Sequence, residues 1–355
     1  MLLKKVSIAG LEAFVKGEEY GAFTTKPISE IRAKSYLANP HAQADDVVLY
    51  LLIKDNDLIA FRSVVPGYLP DEKVRFAWLS GTWVHPEHRR EGYSMQLLNE
   101  ALTNWNGHLL STNFAPAAHQ LFKKSMHFKK VYQQEGARFY GGAKLSELLG
   151  HRFRKLAFLL PLADVAMSVL ASLKKQFYQP KEQAGSQLIE TEFPDDACYQ
   201  LAEQLKGGLV FGRGREELEW IFKNPWISKT DDRWLQVYPF SSYAKEFQYF
   251  TLKILDGNEL KGFMVCLLRD GHLKTVFNHL DEAGYEVVAD YLKQLALVRQ
   301  VQTLTVFDSH LVEALNGGRS PFVFHKKLSQ FIYASFPVSC AAKKVQDGDG
   351  DFIFT

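Results

Sequence analysis

The chain has 355 residues, a formal charge of +2, and 46% hydrophobic and 23% charged residues. At roughly 150 residues per domain this length predicts two domains, and the composition excludes wholesale disorder. The near-neutral charge gives no reason to expect nucleic acid or a membrane surface as a partner.

Cys198, Cys266 and Cys340 stand far apart, with no CxxC and no histidine at metal spacing, so neither a disulfide framework nor a zinc site is expected. The opening MLLKKVSIAG has no apolar core of a secretion signal, and a cytoplasmic location is expected.

In chain order, residues 47–54 (VVLYLLIK) and 58–65 (LIAFRSVV) read as strands joined by a turn at Asp55-Asn56-Asp57, and 74–84 (VRFAWLSGTWV) as a third. Met95, Leu97, Leu98, Ala101 and Leu102 then follow helical spacing. A short strand at 108–112, a helix near 116–126 and a strand from about 128 complete this half. Residues 151–177 read as a helix with basic ends whose apolar stretch is broken by Pro161 and Asp164, too short to cross a bilayer. A helix docked between domains is expected there, with an interfacial membrane helix as the alternative. Pro180 to Gln187 has linker composition.

The same order then recurs. Strands at 248–255, 260–268 and 272–279 are separated by turns at Asp256-Gly257-Asn258 and Asp270-Gly271. A helix at 285–299, a strand at 301–307, a helix near 309–316 and a strand before 338 follow. The expected organisation is therefore 1–150, a connecting 151–186, and 187–355 as a second copy.

The segment between the strand ending at Val84 and the next helix, His85-Pro86-Glu87-His88-Arg89-Arg90-Glu91-Gly92-Tyr93-Ser94, carries the strongest chemical signal. Pro86 stops strand pairing, and Gly92 permits a tight turn and close ligand approach. Backbone N–H groups around 90–94 would face outward at a helix N-terminus, where they and the helix dipole favour an anion. Arg89 and Arg90 can add charge-assisted hydrogen bonds, so the expected ligand is a pyrophosphate.

This stretch resembles the [Q/R]xxGx[G/A] pattern of the GNAT superfamily of N-acetyltransferases, with Arg89 and Gly92 in place and Ser94 where glycine or alanine is usual. The resemblance runs from about 47 to 133, since STNFAPAAHQLFKKSMHF is similar to the family's next strand, asparagine, helix and closing strand. It implies an α/β (mixed-sheet) GNAT-like fold, here in two tandem copies. It also implies acetyl-CoA or another acyl-CoA as cosubstrate, and no metal.

The pyrophosphate would lie on the loop of Arg89, Arg90, Glu91, Gly92, Tyr93 and Ser94, with the pantetheine arm beside Thr82, Trp83 and Val84. Asn113 would be a further contact, and the Val84 N–H would polarise the thioester carbonyl. Phe122 stands where the family usually has an acidic tyrosine. Either water protonates the leaving thiolate, or Tyr132 or His119 reaches in, or the domain binds CoA without efficient turnover. His85 is the candidate base, with a suitable unperturbed pKa of about 6.5, and Glu87 a weaker one.

In the second copy, Asn278-His279-Leu280-Asp281-Glu282-Ala283-Gly284 lacks this pattern and sets carboxylates at the helix start, which would repel a pyrophosphate. The glycines around Arg213 read as a flexible lead-in to a helix, the tryptophans at 220, 226 and 234 as core, and Asp347, Asp349 and Asp351 as an acidic tail or last turn. The expected function is acyl transfer from CoA to a small-molecule or peptide amine, without nucleic acid. The alternatives are a CoA-binding or sensing protein with a degenerate site and a Fem-type aminoacyltransferase. The intact pyrophosphate motif and the absence of a basic stripe argue against the last.

Overall fold

In a computed structural model of the chain, residues 1–112, 116–141 and 187–355 are described, together with positions 165, 169, 174, 176 and 178. The helix expected over 151–177 lies almost wholly outside the described residues, as does Asn113.

The first elements are β1 (Leu2–Ser7), α1 (Ile8–Lys16), α2 (Glu18–Ala22), α3 (Glu30–Leu37), β2 (Val47–Lys54), β3 (Asp57–Leu69) and β4 (Val74–Val84). They are followed by α4 (Tyr93–Asn104), β5 (Leu109–Thr112), α5 (Pro116–Ser125) and β6 (Lys129–Tyr140). Next come β7 (Gln187–Thr191), α6 (Asp196–Leu205), α7 (Arg215–Lys223), α8 (Trp234–Val237), β8 (Phe247–Asp256), β9 (Glu259–Arg269) and β10 (His272–His279). The last are α9 (Glu282–Val298), β11 (Thr303–Val306), α10 (Ser309–Asn316) and β12 (Phe324–Ala334).

Two compact units are assembled from separated stretches. One comprises Met1–Gln133, Ala202–Lys245 and Phe331–Thr355, the other Gln134–Leu201 and Glu246–Gln330. The first unit's sheet runs β1-β2-β3-β4-β5 and closes with the end of β12, antiparallel at every step except the parallel pair β4–β5. The second runs β7-β8-β9-β10-β11 and closes with the end of β6, again antiparallel except at β10–β11. The sequence of pairing senses is identical, and α4 and α9 make the crossovers that parallel neighbours require. The tandem architecture is thus present in the topology, with each sheet completed by a strand from the other half of the sequence.

Local chemistry accounts for the hairpins. Asp55 and Asn56 take left-handed conformations (φ 52° and 67°) between β2 and β3, and Asp270 and Gly271 (φ 45° and 76°) between β9 and β10, as tight two-residue turns require. In the first unit Tyr50, Leu52, Ala60, Val64 and Leu79 pack under Leu97, Leu98 and Ala101 of α4. Leu49, Leu51 and Phe61, on the opposite face, are buried as well. A sheet covered on both faces explains why β2 and β3 read as apolar runs rather than alternating ones.

The segments read as lead-in and tail are structural parts of this unit. Gly214 caps α7, its N–H donating to Glu217. The buried Arg213 donates to the carbonyls of Gly348 and Gly350 and pairs with Asp349. Asp347 and Asp349 are each 1% exposed, so the acidic end is folded in rather than solvated.

Candidate functional site

The site starts from a defect in pairing. β4 and β5 share only two ladder pairs, Ala77 with Leu109 and Trp78 with Leu110. Beyond them the strands part, and β5 continues against β12 instead. On its other edge β4 stays paired with β3 up to Val84, so β4 alone lines one side of the opening.

A bulge lies at the start of the opening. Leu79 pairs with Val64 and Gly81 with Ser63, leaving Ser80 extra, so that Ser80 and Gly81 share a face. That face carries the stacked rings of Phe61 and Trp83, with Phe240 edge-on to Phe61. Thr82 and Val84 pair with Arg62 and Ala60, whose side chains point toward α4. The N–H of His85 donates to Ile59 O on β3 at 2.8 Å. By strand alternation the N–H groups of Val84 and Thr82 point the other way, into the opening.

A cavity of about 650 Å³ occupies the split, walled by Leu79, Thr82, Trp83 and Val84 from β4 and by Ser111 and Thr112 from β5. Phe122 of α5, 3% exposed and packed on Phe128 with ring centroids 4.6 Å apart, forms part of the wall. Thr112 Oγ1 is buried there with no hydrogen-bond partner among the described residues.

Charge is segregated within this cavity. Toward α4 lie Arg89, Arg90 and Arg62. Arg62 is 2% exposed, donates to Ser94 O at 3.4 Å, and has a buried Nε with no partner. Burial pulls its pKa down to about 10, which leaves it charged at neutral pH. On the opposite face lies Asp351, which accepts a hydrogen bond from Ser80 Oγ at 2.7 Å. Ser80 Oγ in turn accepts from Arg32 at 3.1 Å, and the Arg32 guanidinium lies 3.9 Å from the ring centroid of Trp226. Burial pushes the Asp351 pKa up.

The loop leading to α4 has the expected shape. Pro86–His88 form one turn of 3₁₀ helix, Arg90 and Gly92 are left-handed (φ 73° and 88°), and Gly92 caps α4. The first helical bonds are those of Met95 and Gln96 to Gly92 O, which leaves the preceding N–H groups at the helix start. Glu91 is turned to the loop's own partners: hydrogen bonds from Tyr93 and His88 hold its carboxyl below the usual range.

Of the residues singled out by sequence, Thr82, Trp83, Val84, Arg89, Arg90 and Ser94 are brought to one cavity. Glu91, Gly92 and Tyr93 shape its loop, and His85 does not line it. His85 Nδ1 instead accepts from the Glu87 N–H at 3.4 Å, closing the 3₁₀ turn. Sequence reasoning missed Arg62, Ser80, Phe240 and Asp351. A lone arginine within LIAFRSVV could have been flagged, because a charge in a buried strand needs a partner. Nothing local marks Asp351.

Among the described residues no helix is long and apolar enough to cross a membrane, and no group of three or more His, Cys, Asp or Glu side chains is placed to hold a metal.

Comparison with known proteins agrees with this geometry. The family model for the acetyltransferase (GNAT) domain matches residues 49–125. No curated protein sequence matches the chain. Among solved structures, a probable N-acyltransferase of Enterococcus faecalis V583 is similar in fold at 11% identity over 94% of this chain and 72% of that one, with a TM-score of 0.51. A GCN5-related N-acetyltransferase of Anabaena variabilis aligns at 13% identity over 94% and 72%, with a TM-score of 0.48. A tandem GNAT protein from the clavulanic acid biosynthesis pathway aligns at 12% over 95% and 100%, also with 0.48. Residues 49–125, which span β2 to α5, thus carry a GNAT acetyltransferase domain, and the order of strand pairing found there recurs in the second sheet.

Proposed function

We propose that the first unit binds acyl-CoA with its pyrophosphate on the Arg89–Ser94 loop and transfers a short acyl group directly to an amine. The observation that carries this reading is the parted β4–β5 pair, with inward-pointing strand N–H groups and a helix N-terminus flanked by three arginines on one cavity. The arginines and α4 amides would hold the phosphates, and the Val84 N–H would stabilise negative charge on the thioester oxygen during attack. The test is a thermal-shift titration with acetyl-CoA, desulfo-CoA and ATP. At 100 times its dissociation constant a ligand adds about 2.7 kcal/mol to the folded state. Saturable stabilisation by the CoA species alone is expected; no shift would remove the reading.

The second unit supports a single CoA site. Its parallel pair also ends early, after Lys274 and Thr305. There Asn278, Tyr285 and Asp308 are buried together, with Tyr285 Oη donating to Asp308 at 3.0 Å and Asn278 Nδ2 to the same carboxylate at 3.3 Å. Asp281 caps α9 by accepting from the Gly284 N–H, so a carboxylate already occupies the helix start.

Phe122 favours one alternative, a CoA-binding protein with slow turnover. Its ring lines the cavity. Phe122→Tyr is expected to raise kcat by about a hundredfold if only the acid is missing, at the lower end of general-acid contributions, with CoA affinity unchanged. Thiol release from acetyl-CoA measures this, and an unchanged rate would locate the limitation elsewhere.

A further inference from the structure

We propose that the end of the cavity at Asp351 is the acceptor subsite, and that it takes a small amine with one ammonium group on an apolar or aromatic body. The Asp351 carboxylate holds that ammonium and accepts its proton. This rests on the acyl-transfer reading and deepens it.

Position is the first support. Asp351 lies on the face of the sheet opposite the arginines and α4, and is hydrogen-bonded to Ser80 at the bulge where β4 leaves β5. A donor entering from the arginine end and an acceptor entering from the Asp351 end would meet in the split.

Charge is the second. Among the described residues Asp351 forms no ion pair. Arg32 shares the Ser80 hydroxyl with it, lowers its pKa through space, and is itself engaged over Trp226. With its nearest cation, Arg32, set across the shared Ser80 hydroxyl rather than in an ion pair, the Asp351 carboxylate can take a second cation that arrives with the ligand. The neighbouring walls are the rings of Trp83 and Phe240, which favour an apolar body and can face an ammonium.

The chemistry balances. Asp351 takes one proton from R–NH₃⁺, and the freed lone pair forms the N–C bond at the thioester carbonyl. The C–S pair leaves on sulfur, and a second N–H proton passes to the thiolate. The products are amide, free thiol and protonated Asp351, which returns its proton to solvent. Burial already raises the Asp351 pKa, bringing it nearer to that of a useful base.

The groups facing Asp351 are Ser80 of β4, Arg32 and Tyr36 of α3, and Tyr238 following α8, with His41, Arg213 and Glu217 on an adjoining cavity wall. Burial raises both tyrosine pKa values, so neither phenol competes with Asp351 for a proton in the working range.

The experiment is calorimetry on the full chain saturated with CoA, using 2-phenylethylamine and its neutral analogue 2-phenylethanol. The amine is expected to bind saturably and at least about tenfold more tightly than the alcohol, as a charge-assisted hydrogen bond implies. Its affinity should fall as pH drops and Asp351 protonates. Asp351→Asn, which keeps the side chain's shape and its acceptor for Ser80, should lose that preference with CoA affinity unchanged, and Asp351→Glu should recover part of it. CoA affinity in the same variants reports an intact site. If CoA binds but 2-phenylethylamine, tyramine and hexylamine all fail to bind, the acceptor class is wrong. If Asp351→Asn binds the amine as well as the parent protein, the role of Asp351 is wrong. If CoA itself does not bind, the acyl-transfer reading fails and this inference with it.

Discussion

Replacing Gly92 by Asp is expected to lower affinity for CoA at least about a hundredfold, a change of about 2.7 kcal/mol, while leaving the ligand-free protein nearly as stable as before. The two effects separate because of where Gly92 sits. A Cβ added there meets nothing within 4 Å, so no packing is disturbed. Its φ of 88° is unfavourable for a side chain, at a cost of about 1–3 kcal/mol. Gly92 is also the N-cap of α4, where an aspartate carboxylate satisfies helix amides and offsets about 0.5–2 kcal/mol. Those same amides are the proposed phosphate site, and a carboxylate bonded to them excludes a second anion. Gly92→Asn separates the causes, since asparagine tolerates the left-handed region and carries no charge. Calorimetry with CoA should show a small loss for Asn and a large one for Asp. Equal losses would assign the effect to backbone strain, and no loss in either would move the phosphate site away from α4.

The parts of the fold legible in the sequence were those set by local chemistry. The strands at 47–54 and 74–84 have the observed bounds because their apolar runs end at turns or at Pro86, and the loop into α4 was legible because Gly92 must be left-handed there. The second copy was equally readable, since Gly257 and Gly271 mark its turns. The elements before residue 47 gave no sharp pattern, with α3 burying Arg32 and Ser35 among its apolar residues.

Long-range features escaped for a different reason. The closing strands β6 and β12 are strand-like in sequence, but nothing local says which sheet each completes. Asp351 reads as part of a solvated acidic end because its partner Ser80 is 271 positions away. His85 looked like a base by residue type, yet its ring nitrogen is committed to the turn at Glu87.

Arg62→Met is expected to stabilise the ligand-free protein by about 1–3 kcal/mol, in line with apolar replacements of buried charge, and to weaken CoA binding by about tenfold or more, the usual worth of a hydrogen bond to a charged group. Arg62 sits in mid-β3 between Ala60 and Val64, which are 0% exposed, and methionine can fill much of the same space with an unbranched apolar chain. Among the described residues the guanidinium has one long hydrogen bond, an unpartnered Nε and no carboxylate partner. Its pKa of about 10 shows that desolvation disfavours the cation without neutralising it at pH 7.

A buried and mainly apolar strand keeps this destabilising residue beside Ser94, on the wall shared with Arg89 and Arg90. The compensation is expected from an anionic ligand, which would supply the missing counter-charge in a site of low dielectric. Denaturant unfolding with and without CoA tests both halves together. The variant should unfold at higher denaturant alone and gain less from CoA than the parent does. A variant that is less stable and binds CoA normally would make Arg62 a packing residue, and the cationic end of the cavity would then reduce to the two loop arginines.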